Sequence, residues 1–253
     1  MNNIAVQIND LSIGYKENTV LKDLNFSIKQ GEIFIILGGS GCGKSSLLKN
    51  IIGLYKPFSG DIIIHGDSIV KANLKEKKKI MRSFGVTYQD GALFGGLTLG
   101  ENISLLLDEY TNYSTDEKEK IVMDKLSQVE LSEFVHYMPH EISGGMKKRA
   151  GLARAMALNP KLLFFDEPSA GLDPISSAEL DRLILSLGKK TGTTIVIVTH
   201  ELDSIFAIGD NAIVLDKESK GIVASGKPYK LKNHSKNKWV RRFLDRDGLT
   251  RKI

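Results

Sequence analysis

The chain has 253 residues, of which 42% are hydrophobic and 26% are charged. That length allows one substantial hydrophobic core, in a single lobe or divided between two. A single cysteine excludes an internal disulfide and a zinc cluster. No apolar run approaches the roughly 20 residues that cross a bilayer, and the first residues lack the pattern of a secretion signal. The composition therefore predicts a protein kept in a reducing, cytosolic compartment.

The formal net charge of +5 is unevenly distributed along the chain. Residues 227–253 contain ten Lys or Arg against two Asp and carry +8, which leaves −3 for residues 1–226. A negatively charged body argues against a nucleic-acid partner. The basic tail fits an anionic membrane face or an ordinary solvated segment.

Residues 38–45 have the spacing G-x-x-x-x-G-K-[ST] of a phosphate-binding loop, and we call them the phosphate loop. The apolar run 33–37 before it predicts a buried parallel strand, and helical spacing follows it. Lys44 can reach the β- and γ-phosphates, and the Ser45 hydroxyl can ligate Mg²⁺. An ordinary Gly-rich turn would not explain the Lys-Ser pair with these flanks. The predicted nucleotide-binding residues here are Gly38, Gly39, Ser40, Gly41, Cys42, Gly43, Lys44, Ser45 and Ser46.

Two carboxylates end the apolar run 162–167. Asp166 is placed to hold Mg²⁺, and Glu167, one step further out, could polarise a water against the γ-phosphate. Buried carboxylates are costly when unpaired, so a purely structural origin of this pair is uncommon. The next apolar run ends at His200. At the end of a parallel strand in the same sheet, His200 is predicted to contact the γ-phosphate rather than to be a satisfied core histidine.

Three single residues carry weaker signals. Gln89 follows the strand-like residues 84–88, where its amide could reach Mg²⁺ or a water. Tyr15 lies in a turn, and stacking on an adenine ring and an ordinary surface position are equally good interpretations. Cys42 lies among backbone N–H groups that would favour a thiolate, although a small filler is the simpler interpretation.

Residues 98–158 have helical patterning and few β-branched runs, and we call them the helical block. They predict a helical insertion between two halves of an α/β core. Within the block, Ser143, Gly144 and Gly145 open a helix, which makes a second anion-binding end or an ordinary Ser cap. Two such ends suggest that two chains share a nucleotide. Asp173 and Pro174 start a further helix as cap and first residue.

The order of these motifs resembles the ATP-binding-cassette (ABC) transporter ATPases over nearly the whole chain up to residue 226. The motifs that carry the resemblance are the phosphate loop, Gln89, Ile142-Ser143-Gly144-Gly145, Asp166-Glu167, Ala170-Gly171-Leu172-Asp173 and His200. It implies an α/β P-loop NTPase with a RecA-like core at roughly residues 1–91 and 160–226. The resemblance also implies an antiparallel β subdomain and a helical subdomain at roughly residues 92–159. Residues 227–253 would be a basic C-terminal tail.

The resemblance also implies roles for single residues. Tyr15 would stack on adenine, and Gln89 would sense Mg²⁺ and couple to the membrane partner. Ser143 and Gly145 would contact the γ-phosphate of the nucleotide held by the other subunit. The remaining implied roles are general base for Glu167, inter-subunit contact for Asp173 and switch histidine for His200.

The assembly implied by the resemblance is a head-to-tail homodimer that holds two ATP molecules with Mg²⁺. It would sit peripherally on multispan permease subunits at the cytoplasmic face of the inner membrane. Met146 stands where the family's signature usually has Gln, and we expect nucleotide binding to survive because the backbone N–H groups remain.

Residues 89–94, 143–150 and 240–245 are similar to the ATPases of the Mla and MCE-associated lipid transporters. This narrower resemblance implies phospholipid transport between membranes with an MCE-domain partner. The alternatives are a solute importer or exporter of the same class, or a soluble cassette protein that acts on ribosomes or DNA.

Overall fold

The computed structural model describes residues 3–245, so part of the basic tail lies outside the described residues. Within that range, ten strands form a four-stranded and a six-stranded sheet. The strands are β1 (Ile4–Tyr15), β2 (Asn18–Lys29), β3 (Ile33–Gly38), β4 (Ser59–Ile64), β5 (Asp67–Ser68), β6 (Phe84–Thr87), β7 (Leu162–Asp166), β8 (Thr194–Val198), β9 (Asn211–Asp216) and β10 (Gly221–Gly226).

The same residues form nine α-helices and two 3₁₀ turns. The helices are α1 (Lys44–Ile51), α2 (Leu74–Met81), α3 (Leu99–Tyr110), α4 (Thr115–Gln128), α5 (Gly144–Ala155), α6 (Pro174–Thr191), α7 (Leu202–Ile208), α8 (Pro228–His234) and α9 (Lys238–Leu244). The turns are Ser132–Phe134 and Pro139–Glu141.

The six-stranded sheet has the order β10-β9-β3-β8-β7-β6, with all neighbours parallel except β10. Its inner strands β3 and β8 are buried along their whole length, as apolar strands covered on both faces are. Because parallel strands end at one edge, this sheet brings the phosphate loop, Asp166 and the residues after β8 to the same edge.

The four-stranded sheet is antiparallel, with the order β2-β1-β4-β5. Within β1 the buried side chains change from even to odd positions, because the register with β2 is irregular between Ile8 and Leu11. Asp10, inside this irregularity, has a φ of 45°. Phe26 of this sheet stacks on Phe34 of the other, with ring centroids 5.8 Å apart. The two sheets therefore share a hydrophobic layer.

Hydrophobic clusters cover both faces of the six-stranded sheet. Along β3, Ile35 and Leu37 belong to one cluster, with the helical block, while Phe34 and Ile36 belong to the other, with the antiparallel sheet. This division follows the two-residue period of a strand.

The helical block contains α3, α4 and α5. Thr98 caps α3 and Ser114 caps α4, each in a capping box with the Glu three residues later. The carboxyl end of α5 lies against β6, where a Cβ on Gly85 would meet the Ala155 carbonyl oxygen at 2.1 Å. A side chain at position 85 would therefore push α5 off the sheet.

The first part of the basic tail, residues 227–245, folds into α8 and α9. Leu231, Val240 and Leu244 are buried in the same cluster as the helical block. The segment is thus packed against the body of the chain in spite of its many cations. Among residues 3–245, no helix is both long and apolar enough to cross a membrane.

Candidate functional site

The phosphate loop joins β3 to α1 and depends on glycine at two positions. Gly38 has a φ of 155°, and a Cβ there would lie 2.4 Å from the Leu215 carbonyl oxygen. Gly43 has a φ of 101°, and a Cβ there would lie 2.7 Å from Val20 Cγ1. Since L side chains rarely adopt these conformations, the loop backbone requires glycine at both places.

Lys44 is the first residue of α1, and its ammonium is held by the phosphate loop itself. Its Nζ donates to the carbonyl oxygens of Gly38 at 2.9 Å and Gly39 at 3.3 Å. A cation and the start of a helix therefore converge on one concave loop, which is an arrangement that binds a polyphosphate.

Ser45 and Asp166 form an oxygen pair beside that cation. The Ser45 hydroxyl donates to Asp166 Oδ1 at 3.2 Å. Burial raises the pKa of Asp166 above its ordinary value, against the lowering effect of this hydrogen bond. A divalent cation would stabilise the ionised carboxylate, and Mg²⁺ prefers oxygen ligands, so these residues fit a Mg²⁺ site.

Glu167 is held in an unusual backbone conformation at the end of β7. Its φ is 51°, and its N–H donates to the Val198 carbonyl oxygen at 2.8 Å. His200 Nδ1 lies 2.9 Å from Glu167 Oε1. Glu167 Oε2 is buried and has no hydrogen-bond partner among the described residues. His200 therefore fixes Oε1, while Oε2 remains available to accept a hydrogen bond from a water molecule.

A cavity of about 710 Å³ connects these groups. It is lined by most of the phosphate loop together with Tyr15, Gln89, Glu167, His200 and Phe243. Its volume lies within the range of small-molecule sites. The Tyr15 hydroxyl lies 2.9 Å from Ser46 Oγ, which fixes this ring at the cavity's rim. The structure therefore brings most of the predicted nucleotide residues to one place.

Six predicted residues lie outside that cavity's lining: Cys42, Asp166, Ser143, Gly144, Gly145 and Asp173. Cys42 is buried beneath the loop, and Asp166 reaches the cavity only through Ser45. Ser143 caps α5 by accepting from the Met146 N–H at 3.2 Å, and Gly144 has open space where a Cβ would be. Gly145 follows in the first turn of α5. Asp173 caps α6 through the N–H groups of the first turn. Within one chain the last four residues act as helix starts, and their roles toward a second chain stay predictions.

Two cations of α5 were missed by the sequence reasoning. Lys148 donates to the Ala170 carbonyl oxygen, and burial lowers its pKa. Arg154 donates to the Ala92 carbonyl oxygen at 2.7 Å and lies over the Phe94 ring. A usable signal was the run of apolar residues between and beyond these two cations, since Ala150, Leu152 and Ala153 are buried.

Comparison with known proteins decides the family. The model described as ABC transporter matches residues 21–170, more than half of the chain. The chain belongs to the ABC transporter family. As a member of that family it is an ATPase that uses ATP with Mg²⁺, which confirms the predicted activity and cofactors.

Two relatives and one solved structure illustrate the similarity. The chain is 40% identical over 242 residues to the probable ribonucleotide transport ATP-binding protein mkl of Mycobacterium tuberculosis, covering 96% of this chain and 67% of the relative. It is 34% identical over 226 residues to the intermembrane phospholipid transport system ATP-binding protein MlaF of Haemophilus influenzae, covering 89% and 85%.

The solved structure is the ATP-binding cassette MJ0796, in a dimeric post-hydrolysis state with ADP and phosphate. The TM-score is 0.79 at 31% identity, covering 88% of this chain and 98% of that chain. The predicted fold, an α/β P-loop ATPase of the ABC type with parallel and antiparallel sheets, is therefore confirmed.

The position of Cys42 bears on the hypothesis of a reactive thiol in this ABC ATPase. Cys42 is 2% exposed and belongs to the core cluster between the sheets. Burial raises the pKa of its thiol above the ordinary value, so the thiolate fraction is smaller at any given pH. The geometry favours the small filler.

We expect Cys42 in the native protein to react with iodoacetamide more slowly than the same cysteine in the denatured chain. Because the pKa is raised, the native rate should rise only at a higher pH than the denatured rate. Labelling rates at several pH values, read by mass spectrometry, check this. Equal native and denatured rates at pH 8 would restore the reactive-thiol hypothesis.

Proposed function

We propose that this ABC transporter ATPase powers the movement of phospholipid between membranes, together with permease subunits and an MCE-domain partner. The observation that carries its ATPase mechanism is the convergence of Lys44, Ser45 and the Glu167–His200 pair on one cavity. Asp166 is hydrogen-bonded to Ser45 behind it. The lipid assignment is supported by the similarity to MlaF over 89% of the chain.

In the proposed reaction, water attacks the γ-phosphate of ATP and yields ADP and phosphate. Glu167 Oε2, buried and without a partner in the described chain, orients the attacking water and accepts its hydrogen bond. His200 holds the other oxygen of the same carboxylate and so fixes its direction. Lys44 and the loop N–H groups bind the β- and γ-phosphates. Ser45, Asp166 and Gln89 would hold Mg²⁺, which would supply positive charge to neutralise the phosphates.

We further propose a head-to-tail dimer of two copies. Ser143, Gly144 and Gly145 open a helix outside the chain's own cavity, where the first N–H groups would face the nucleotide of a second copy. Asp173 would lie at the same interface. The dimeric state of MJ0796 supports this arrangement.

Coupling to the permease would pass through the loop after Gln89. Arg154 holds this loop at the Ala92 carbonyl, and the loop packs tightly on α5, since a Cβ on Gly151 would meet the Gly91 carbonyl oxygen at 2.7 Å. In this proposal, residues 92–159 are the helical subdomain, and a shift of Gln89 is transmitted to it directly. The permease would hold the ATPase peripherally at the cytoplasmic face of the inner membrane.

The second candidate is solute transport. It is favoured by the higher identity to mkl, a probable ribonucleotide transport protein by its description. Both candidates use the same ATPase chemistry, so only the membrane partner and its cargo distinguish them.

The test is purification of the tagged Glu167→Gln chain with ATP from detergent-solubilised native membranes. Mass spectrometry would identify the proteins recovered, and lipid extraction would identify cargo. We expect a multispan permease, an MCE-domain protein and bound phospholipid. A permease with a solute-binding protein would replace the lipid assignment, and ribosomal or DNA-repair proteins would overturn transport.

A further inference from the structure

The helix α9, to which no role in the ATP site was given above, is firmly fixed to the body of the chain. Val240 and Leu244 are 0% and 1% exposed. The Asn237 side chain caps the helix by accepting from the Trp239 N–H at 2.9 Å. Lys232 on α8 pairs with Asp245 at 3.3 Å just after α9 ends. The position of α9 is therefore set by burial, a cap and an ion pair together.

One face of α9 lies against the ATP cavity. Phe243 belongs to the cavity lining with Lys44 and His200. The Trp239 ring stacks on Phe243, with centroids 5.1 Å apart and planes 22° from parallel. Trp239 Cζ2 also lies 3.9 Å from the place where a Cβ of Gly39 would be. The two rings thus form a continuous aromatic surface, called here the aromatic wall, from the phosphate loop to the cavity.

The aromatic wall is not explained by core packing alone. Trp239 is 39% exposed, whereas the residues that anchor α9 are buried. An aromatic ring placed in a cavity wall beside a cation and a helix start can contact an aromatic or sugar portion of a ligand over a large area. A nucleotide seated on the phosphate loop would lie within the space that this wall borders.

We propose that Phe243, supported by Trp239, contacts the bound nucleotide, so that α9 is part of the ATP site of its own chain. This inference rests on the proposed seat of the nucleotide at the phosphate loop. It makes nucleotide affinity depend on the C-terminal segment, although the catalytic residues lie elsewhere. Trp239 acts through Phe243 and the loop, as a positioning residue.

Trp239 provides a direct test because it is the sole tryptophan of the chain. The intrinsic fluorescence of the full-length wild-type protein would be followed during titration with MgADP, at a concentration where sizing chromatography shows a monomer. We expect an intensity or wavelength change that saturates at the Kd measured independently by equilibrium dialysis. A silent tryptophan at saturating MgADP would overturn the proposal.

Variants give a second, independent readout. Phe243→Ala is expected to raise the Kd for MgADP roughly three- to tenfold, the range expected for one lost aromatic contact. Tyr229→Ala is the matched control, since Tyr229 lies in the same segment, is 62% exposed and contacts Phe206 rather than the cavity. It should leave the Kd within about twofold of the wild type.

Equal affinity of Phe243→Ala and wild type, with unchanged thermal melting, would overturn the proposal. If Phe243→Ala has a lower melting temperature than the wild type, the Kd of Phe243→Leu replaces it as the test. The wild-type tryptophan signal is then the second test. Loss of binding in Lys44→Ala shows that the nucleotide sits on the phosphate loop. Unchanged binding in Lys44→Ala would contradict the proposed seat itself, which is a different result from a failure of the aromatic wall.

Discussion

Replacing Glu167 by Gln is expected to slow ATP hydrolysis by roughly 10²- to 10⁴-fold, the contribution usual for a general base. Gln keeps the size of the side chain and a hydrogen bond to His200, but its amide cannot accept a proton from water. ATP binding should persist because Lys44 and the phosphate loop are untouched. The measurements are steady-state phosphate release and the Kd for MgATP.

Glu201→Gln is the matched control for this experiment. Glu201 also carries a carboxylate close to His200, with Oε1 3.6 Å from Nε2, yet it does not line the cavity. Its variant should retain turnover within a few-fold of the wild type. Near-normal turnover in Glu167→Gln, or an equal loss in Glu201→Gln, would remove Glu167 from the role of base.

Replacing Phe164 by Ala is expected to lower the free energy of unfolding by about 3–5 kcal/mol, the usual cost of deleting a buried Phe ring. Phe164 lies in the middle of β7 and is 0% exposed. Its ring meets Phe84 edge to face, with centroids 5.4 Å apart. Denaturant unfolding followed by circular dichroism measures the change.

We expect Phe164→Ala also to disturb the positions of Asp166 and Glu167, because they follow Phe164 by two and three residues. Tyr113→Ala controls for removal of an aromatic ring, since Tyr113 is 47% exposed, and should change stability by less than about 0.5 kcal/mol. A cost below about 1 kcal/mol for Phe164→Ala would mean that this part of the core collapses into the space left.

The local sequence was sufficient to predict those site residues whose chemistry depends on their neighbours in the chain. The phosphate loop needs a strand, glycines, Lys44 and a helix in succession, and all of these are adjacent in sequence. Glu167 was recognisable because a polar pair ends an apolar run. His200 needed one further step, the expectation that parallel strands end at a common edge, and the structure places it 2.9 Å from Glu167.

Contacts between residues far apart in the chain could not be predicted from local sequence patterns. Phe243 is separated from Lys44 by most of the chain, and its segment was interpreted from its charge. Val240 and Leu244, four residues apart, are nevertheless spaced to bury one face of α9. In β1, a simple alternation could not show the irregularity at Asp10, since a positive φ there depends on pairing with β2. Arg154 was hidden because its acceptors are backbone carbonyls of a distant loop.

The close contact between Gly85 and the carboxyl end of α5 fixes that end of the helix against β6. With 12 residues, α5 is about 18 Å long at the usual rise per residue. A rotation of about 10° around its fixed end would carry Ser143 about 3 Å, roughly the length of a hydrogen bond. A small tilt of α5 is therefore enough to make or break a hydrogen bond at Ser143. A bulkier residue at position 85 would displace the carboxyl end of the helix.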